Sequence, residues 1–217
     1  MKILISAGPT REPIDKVRFI TNASSGRMGL ALAEAAAGKG HEVTLVLGPV
    51  ACKPKLKRVK VVDVCTAAEM ADVVLKELGG GVDVFISAAA VADYTPEKVF
   101  MKKIKSGKIV VLKLKPTEKI TALAKKKFPK VFVVAFKAEF DVSKKVLVDR
   151  AFSKLNGENL DLIIANDIER NRMGSSETDA YIIDKKGKVS YLKNNGKKVI
   201  AERIVSFIAS CLEQEPA

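Results

Sequence analysis

The chain has 217 residues, 47% hydrophobic and 29% charged, which is the balance of an ordinary globular protein with a substantial core. No apolar run approaches the roughly 18 residues needed to span a bilayer, and MKILISAG carries no cleavage pattern, so a cytoplasmic protein is expected. The net charge of +13 admits anionic partners, but 6% aromatics without Trp gives little basis for stacking nucleic-acid bases, and the single His41 argues against a His triad or a His-rich metal site.

Taken in order, the elements alternate. KILISAG reads as a buried strand. SSGRMGLALAEAAAGKG reads as a helix capped by Ser24 or Ser25 and ended by Gly38 or Gly40. EVTLVLG and VKVVDV are the next strands. TAAEMADVVLKELGGG is a helix with Thr66 as N-cap and Glu69 completing a capping box. VDVFISAAAV, KVFVVAFKAE and LDLIIAND are further strands, with a helix over about 143–155 between the last two. Their unbroken apolar character is that of strands buried on both faces of a parallel sheet, and strand–helix alternation argues for a doubly wound, Rossmann-like α/β fold with helices on both faces.

Residues 94–116 break this texture with many lysines. They read as a basic flap in which KIVVLKLK alternates like a half-exposed strand. A hairpin over about 180–192 turns at Lys186-Gly187, and KKVIAERIVSFIASCLEQ closes the chain as an amphipathic helix. One domain over 1–217 is the simplest account. Cys52, Cys65 and Cys211 are too few and too scattered for zinc or a disulfide framework, and Cys65 and Cys211 read as small buried hydrophobes.

Several segments place polar or small residues at the C-terminal end of a strand, the edge where open α/β sheets bind ligands. Between Gly8 and Asn22 an insertion carries Arg11, Glu12, Asp15 and Arg18, and SSGRMG then offers backbone N–H groups to a phosphate. SAAAVADY leaves room for a planar group beside its alanines, with Asp93 just beyond able to accept hydrogen bonds or hold a metal ion. Lys102, Lys103 and Lys105 on the flap could close over phosphates. Phe136 could cover a base or belong to the core, and Asn166 and Asp167 end the last parallel strand. Read this far, the residues indicate a phosphate-bearing ligand and chemistry without histidine.

Together, AGPTREPIDKVRFITNASSGRMG, AAAVADY, KKIKSG, VVAFKAE and NLDLIIAND resemble the phosphopantothenoylcysteine synthetase family (phosphopantothenate–cysteine ligase), in the family's order and at similar spacings. The resemblance implies a ligase of coenzyme A biosynthesis. It would activate the carboxylate of 4′-phosphopantothenate with CTP to an acyl-cytidylate and then form the amide with cysteine, with Mg²⁺ on the triphosphate. ATP is the alternative nucleotide. Carried over position by position, Asn22 and Lys103 match catalytic residues, and Arg18, Asn22 and Ala89 match the pantothenate side. Gly8, Ser24, Ser25, Gly26, Met28, Ala88, Asp93, Lys103, Phe136 and Lys154 match nucleotide contacts. Metal ligands are not specified.

Glu158 stands where many members have a second lysine, RNRMGSSETDA replaces a glycine-rich stretch, and LKPTEKI replaces K-N-P-D-I. The signature begins at residue 2. A stand-alone ligase, or a ligase domain cut from a fusion with a flavin-dependent decarboxylase, is therefore expected, and FMN is not implied. The family also implies a homodimer, with the decarboxylase as a separate partner. Two other readings are weaker. A nicotinamide-dependent reductase would use Tyr94 and Lys98, but Pro96 lies within their helix and no acid follows EVTLVLG. A nucleic-acid-binding module rests on charge alone.

Overall fold

The computed structural model describes residues 1–51, 56–169 and 177–214. In chain order the elements are β1 (Lys2–Ala7), β2 (Arg11–Pro13), β3 (Phe19–Thr21), α1 (Arg27–Gly38), β4 (Glu42–Leu47), β5 (Val59–Asp63), α2 (Ala67–Leu78), β6 (Val84–Ser87), β7 (Tyr94–Pro96), β8 (Leu114–Pro116), α3 (Ile120–Lys127), β9 (Phe132–Glu139), α4 (Lys144–Gly157), β10 (Leu162–Asp167), β11 (Glu177–Asp184), β12 (Val189–Gly196) and α5 (Lys197–Gln214).

Eight strands form one sheet in the order β12-β11-β10-β9-β6-β1-β4-β5. The six from β5 to β10 run parallel, and β11 and β12 add an antiparallel hairpin at one edge. The fold is thus the doubly wound, mostly parallel α/β arrangement expected. Side chains of alternate strand residues divide the core in two. Ile3, Ile5, Ala7, Val84 and Ile86 pack under α1 and α5, while Leu4, Phe85, Val133 and Ile163 pack under α2, α3 and α4. The chain reverses its winding between β1 and β6, the topological switch point whose C-terminal edge such sheets use for ligands. No helix among the described residues is long and apolar enough to cross a membrane.

Several local expectations need correction. Gly26, at φ 73°, occupies the N-cap of α1 with no side-chain cap, and Ser24 Oγ accepts from Gly26 N at 3.3 Å. Neither Ser24 nor Ser25 caps the helix, because the chain enters it through a left-handed turn that glycine adopts without strain. Thr66 does cap α2, accepting from Glu69 N at 3.2 Å, but the Glu69 carboxylate returns to Cys65 N (2.7 Å). β5 is largely exposed, as an edge strand can be. Only Leu114–Pro116 of the flap stretch KIVVLKLKP is a strand, paired with Tyr94–Pro96, because 97–113 finds no further partner strand. The C-terminal hairpin is longer than expected, running over 177–196. Cys65 is exposed at the end of β5 rather than buried, and Cys211 is half-buried. Cys52 lies outside the described residues.

Candidate functional site

The loop after β1 turns sharply at Gly8 (φ 79°), where a Cβ would press on Gly48 O at 3.0 Å. From there the chain runs beside the segment after β6. Ala88 N donates to Ser6 O (3.1 Å), Ala90 N to Gly8 O (2.9 Å) and Ala92 N to the buried Thr10 hydroxyl (3.0 Å). On its other side Thr117 Oγ1 donates to Ala92 O (2.6 Å) and Thr117 N to Asp93 O (2.9 Å). The SAAAVAD stretch is therefore held rigidly by backbone and threonine contacts. Its small side chains leave open space at the crevice floor.

Asn22 leaves β3 and crosses the mouth of this crevice. Its Nδ2 donates to Ala90 O (3.2 Å) and Val91 O (3.1 Å). Two carbonyls can only accept, so the amide nitrogen must face them and Oδ1 stays available as an acceptor. Immediately after, SSGRMG turns into α1. Gly29 in the first turn lies against β1, where a Cβ would sit 2.3 Å from Ala7 Cβ. This glycine lets the open end of α1 reach the strand end, and the uncapped first N–H groups together with the helix dipole favour an anion there.

These elements enclose a cleft of about 570 Å³ running from α1 across the ends of β6, β9 and β10 to the starts of α3 and α5. It brings together most of the residues carried over from the family resemblance: Asn22, Ser24, Ser25, Gly26, Met28, Ala88, Ala89, Asp93, Phe136 and Lys154 all line it. Phe136 is half-buried, so part of its ring faces the cleft. Gly8 shapes the floor without lining it. Arg18 and Lys103 lie elsewhere. Arg18 pairs with Asp15 (2.9 Å) and donates to Ile104 O (3.1 Å), and Lys103 is exposed on the flap.

The fully enclosed Asp15 carboxylate is the flap's anchor. It accepts from Ile104 N (3.0 Å), Val17 N and Arg18 N (2.8 Å each). The Ile104 N–H, then those of Arg18 and Val17 and the arginine charge, outweigh burial and hold its pKa at about 2. Phe100 N donates to Ile14 O (2.9 Å), so the flap docks on the turn between β2 and β3. Buried Glu12 is also structural: its Oε1 accepts from Ala67 N (2.8 Å) at the start of α2. Asp167 takes Asp141 N, Val142 N and Glu169 N at 3.0–3.2 Å, and Asn166 beside it lines the cleft.

Sequence reasoning missed four cations in the cleft: Arg27, Lys119, Lys137 and Lys197. Lys119 pairs with Asp93 (2.5 Å), Lys137 with Glu139 (2.9 Å) and Lys154 with Glu158 (2.6 Å). Glu158, which also accepts from the Thr121 hydroxyl, thus neutralises Lys154 from outside the cleft. A lysine opening a helix is electrostatically awkward, and that would have been the signal for Lys197. Asp93, which pairs with Lys119, and Glu118 are the carboxylates that line the cleft.

The match to known proteins is extensive. Residues 1–212 match the model of the DNA/pantothenate metabolism flavoprotein C-terminal domain. Over 97% of its length the chain is 38% identical to the coenzyme A biosynthesis bifunctional protein CoaBC of Thermococcus kodakarensis, and it covers 51% of that protein. It is 45% identical to a prokaryotic protein named cysteine/cysteine sulfinic acid decarboxylase, covering 95% of this chain and 57% of the relative. The chain thus spans about half the length of these relatives. The crystal structure of the C-terminal domain of a CoaBC protein superposes with a TM-score of 0.83 at 37% identity, covering 99% of this chain and 96% of that one. A Cab2 mutant in complex with phosphopantothenate-cysteine has the same fold (TM-score 0.81, 20% identity, 98% and 86% covered). The chain belongs to the family of the DNA/pantothenate metabolism flavoprotein C-terminal domain.

Proposed function

We propose that the chain joins 4′-phosphopantothenate to cysteine in coenzyme A biosynthesis, in the cytoplasm, with CTP as the activating nucleotide. The carrying observation is the cleft itself. An uncapped helix start and several cations suit a polyphosphate, and an alanine-walled floor beside Phe136 suits a flat base.

In the first step a carboxylate oxygen of phosphopantothenate attacks the α-phosphorus. An O–P bond forms, the bond to the α,β-bridging oxygen breaks, and pyrophosphate leaves with the electron pair. In the second, the cysteine nitrogen attacks the acyl carbon, the amide forms, CMP leaves and the amine proton passes to water. Nothing here demands a protein nucleophile. Positioning and charge stabilisation carry the reaction.

In this reading Ser24, Ser25, Gly26 and Met28 hold phosphates, while Ala88, Asp93, Phe136 and Lys154 form the nucleoside pocket and Gly8 shapes the floor beneath it. Ala89 borders the acyl group. Asn22 Oδ1 accepts an N–H of the incoming amine, since its own N–H groups are engaged. Mg²⁺, when bound, neutralises and clamps phosphate oxygens.

Lys103 acts from the flap and Arg18 from the β2–β3 turn on which the flap docks, both away from the cleft, which favours a homodimer. Met101, Ile109 and Val111 on that flap are 74%, 96% and 86% exposed, and a second copy would cover them. A flavin-dependent decarboxylase, which would act on the product, is the expected functional partner.

The test is pyrophosphate release from phosphopantothenate and Mg²⁺ with CTP or ATP, with and without cysteine. CTP-dependent release that proceeds to phosphopantothenoylcysteine supports the reading. Release with ATP alone keeps the ligase and changes the nucleotide, and silence with both withdraws it.

A further inference from the structure

Glu158 stands at the C-cap of α4, its N–H donating to Lys154 O (3.0 Å), and the buried side chains of Leu155 and Leu160 fix the chain on either side of it. A half-buried carboxylate there faces the negative end of the helix dipole, and Lys followed by Glu is the weaker order for a pair four residues apart. Helix stability therefore does not account for it. What Glu158 does is hold two groups. Its Oε1 accepts from Lys154 Nζ (2.6 Å), and its Oε2 accepts from the hydroxyl of Thr121 in the first turn of α3. Buried Thr121 and half-buried Lys154 both line the cleft, whereas Glu158 stands behind them.

The consequence is a fixed polarity. A carboxylate has no proton to give, so the single hydroxyl proton of Thr121 is committed to Glu158 and Oγ1 offers only lone pairs elsewhere. An ammonium has no lone pair, so Lys154 offers only N–H donors. One carboxylate outside the cleft thus sets an acceptor and a donor side by side in its wall. The pairing edge of a base with an exocyclic amine, cytosine or adenine, presents an N–H donor beside a bare ring nitrogen, which is the complement. Uracil and guanine present a carbonyl beside a ring N–H, so both contacts meet like with like.

We propose that Thr121 and Lys154, their polarity set by Glu158, select the nucleotide by its base. Thr121 Oγ1 accepts from the exocyclic amine, and Lys154 Nζ donates to the neighbouring ring nitrogen. Thr121 then touches the base, and Glu158 is a positioning residue that acts through it. That the ligand is a nucleotide rests on the ligase reading above. The arrangement admits cytosine and adenine alike and rejects uracil and guanine.

The test compares CTP with UTP, and ATP with GTP. Within each pair the ribose and triphosphate are shared, so phosphate contacts cancel in the ratio of affinities. Each nucleotide is titrated calorimetrically with Mg²⁺ into the wild-type chain, Thr121→Val, Thr121→Ser and Glu158→Gln. Leaving a buried donor or acceptor unpaired weakens binding about tenfold or more, so the wild type should favour CTP over UTP by at least that factor. Thr121→Val weakens CTP but not UTP and brings the ratio to within about threefold, and Thr121→Ser restores it. Glu158→Gln tests the polarity itself. Its amide oxygen accepts from Lys154, its NH₂ donates to Thr121 Oγ1, and the freed hydroxyl proton turns to the cleft. UTP binding then strengthens while CTP binding weakens, whereas a purely structural role would weaken both together.

A wild-type chain that binds none of the four nucleotides, or binds each keto-base nucleotide as tightly as its amino-base counterpart, overturns the proposal. Ratios unchanged in both Thr121→Val and Glu158→Gln do the same, and in an active ligase they leave the ligase reading standing. A Thr121-dependent preference for amino-bearing bases in a chain that forms no phosphopantothenoylcysteine keeps the base site and withdraws the ligase.

Discussion

One helix contains two glycines for which the same substitution has opposite consequences. At Gly29 an added Cβ would sit 2.3 Å from Ala7 Cβ, 3.0 Å from Ala7 Cα and 3.4 Å from Ser6 O. Relaxed carbon contacts lie near 3.5–4.0 Å, so α1 must retreat by about 1 Å or more. β1 cannot yield, being buried and paired on both sides. Overpacking of this kind costs up to about 3 kcal/mol, and the better helix propensity of alanine returns about 1, leaving roughly 2 kcal/mol of destabilisation. For a chain of this size that lowers Tm by roughly 4–8 °C. At Gly38, the last residue of α1, nothing lies within 4 Å, and Gly38→Ala stabilises by about 0.5 kcal/mol. Paired thermal and urea melts of the two variants read both signs. Nucleotide titration of Gly29→Ala should also show weakened binding, because the turn from Gly26 to Met28 moves with the helix. A Gly29→Ala variant as stable as wild type would refute the close packing of α1 on β1, and with it the placement of the phosphate turn.

Asp15→Asn should release the flap at neutral pH. NMR hydrogen exchange would show the Ile104 amide losing protection while Ile5 keeps it. In the wild type the sign follows from a carboxyl whose folded pKa is lowered. Its contribution is complete above the ordinary value near 4 and disappears as pH falls through about 2, so Ile104 protection should fade over that window. Glu12→Ala strands the buried Ala67 N–H and should cost about 1–3 kcal/mol in urea unfolding. Thr66→Ala removes the cap of the same helix for about 1 kcal/mol, and the double variant should fall short of or exceed the sum because both act on the first turn of α2. Asn22→Leu withdraws the donors from Ala90 O and Val91 O. It should reduce product formation more strongly than pyrophosphate release, which a two-phase assay separates.

The buried strands were legible because strands covered on both faces need no polar alternation, and β1, β4, β6, β9 and β10 all show it. Thr66 was readable as a cap because capping is local chemistry, and the helix expected from about residue 143 proves to be capped by Ser143. What escaped detection depends on distant contacts. β2 and β3 are three residues each and are held in part by Thr21 Oγ1 donating to Thr10 O (2.7 Å). α3 is eight residues of a lysine-rich stretch, without a side-chain cap, and packing rather than propensity makes it a helix. KIVVLKLK alternates as a strand should, yet alternation cannot supply a partner to pair with. In the site, the glycine and alanine segments were visible in the sequence. The lysines Lys119, Lys137 and Lys197 were not, because three separate elements bring them to one cleft.

The last helix has a bearing on how the molecule is made. α5 covers the same apolar cluster as α1, and its first residue forms part of the cleft wall. During synthesis β1 and α1 emerge early, yet one side of α1 has no lasting neighbour until residues 197–214 have left the ribosome. Contacts this distant in sequence form late and slowly. The end of the cleft beside α5 is therefore completed only once nearly the whole chain is available. A nascent chain stopped before α5 would carry most of the recognisable sequence signature while exposing Leu30 and Ala33 to chaperones instead of presenting a finished site.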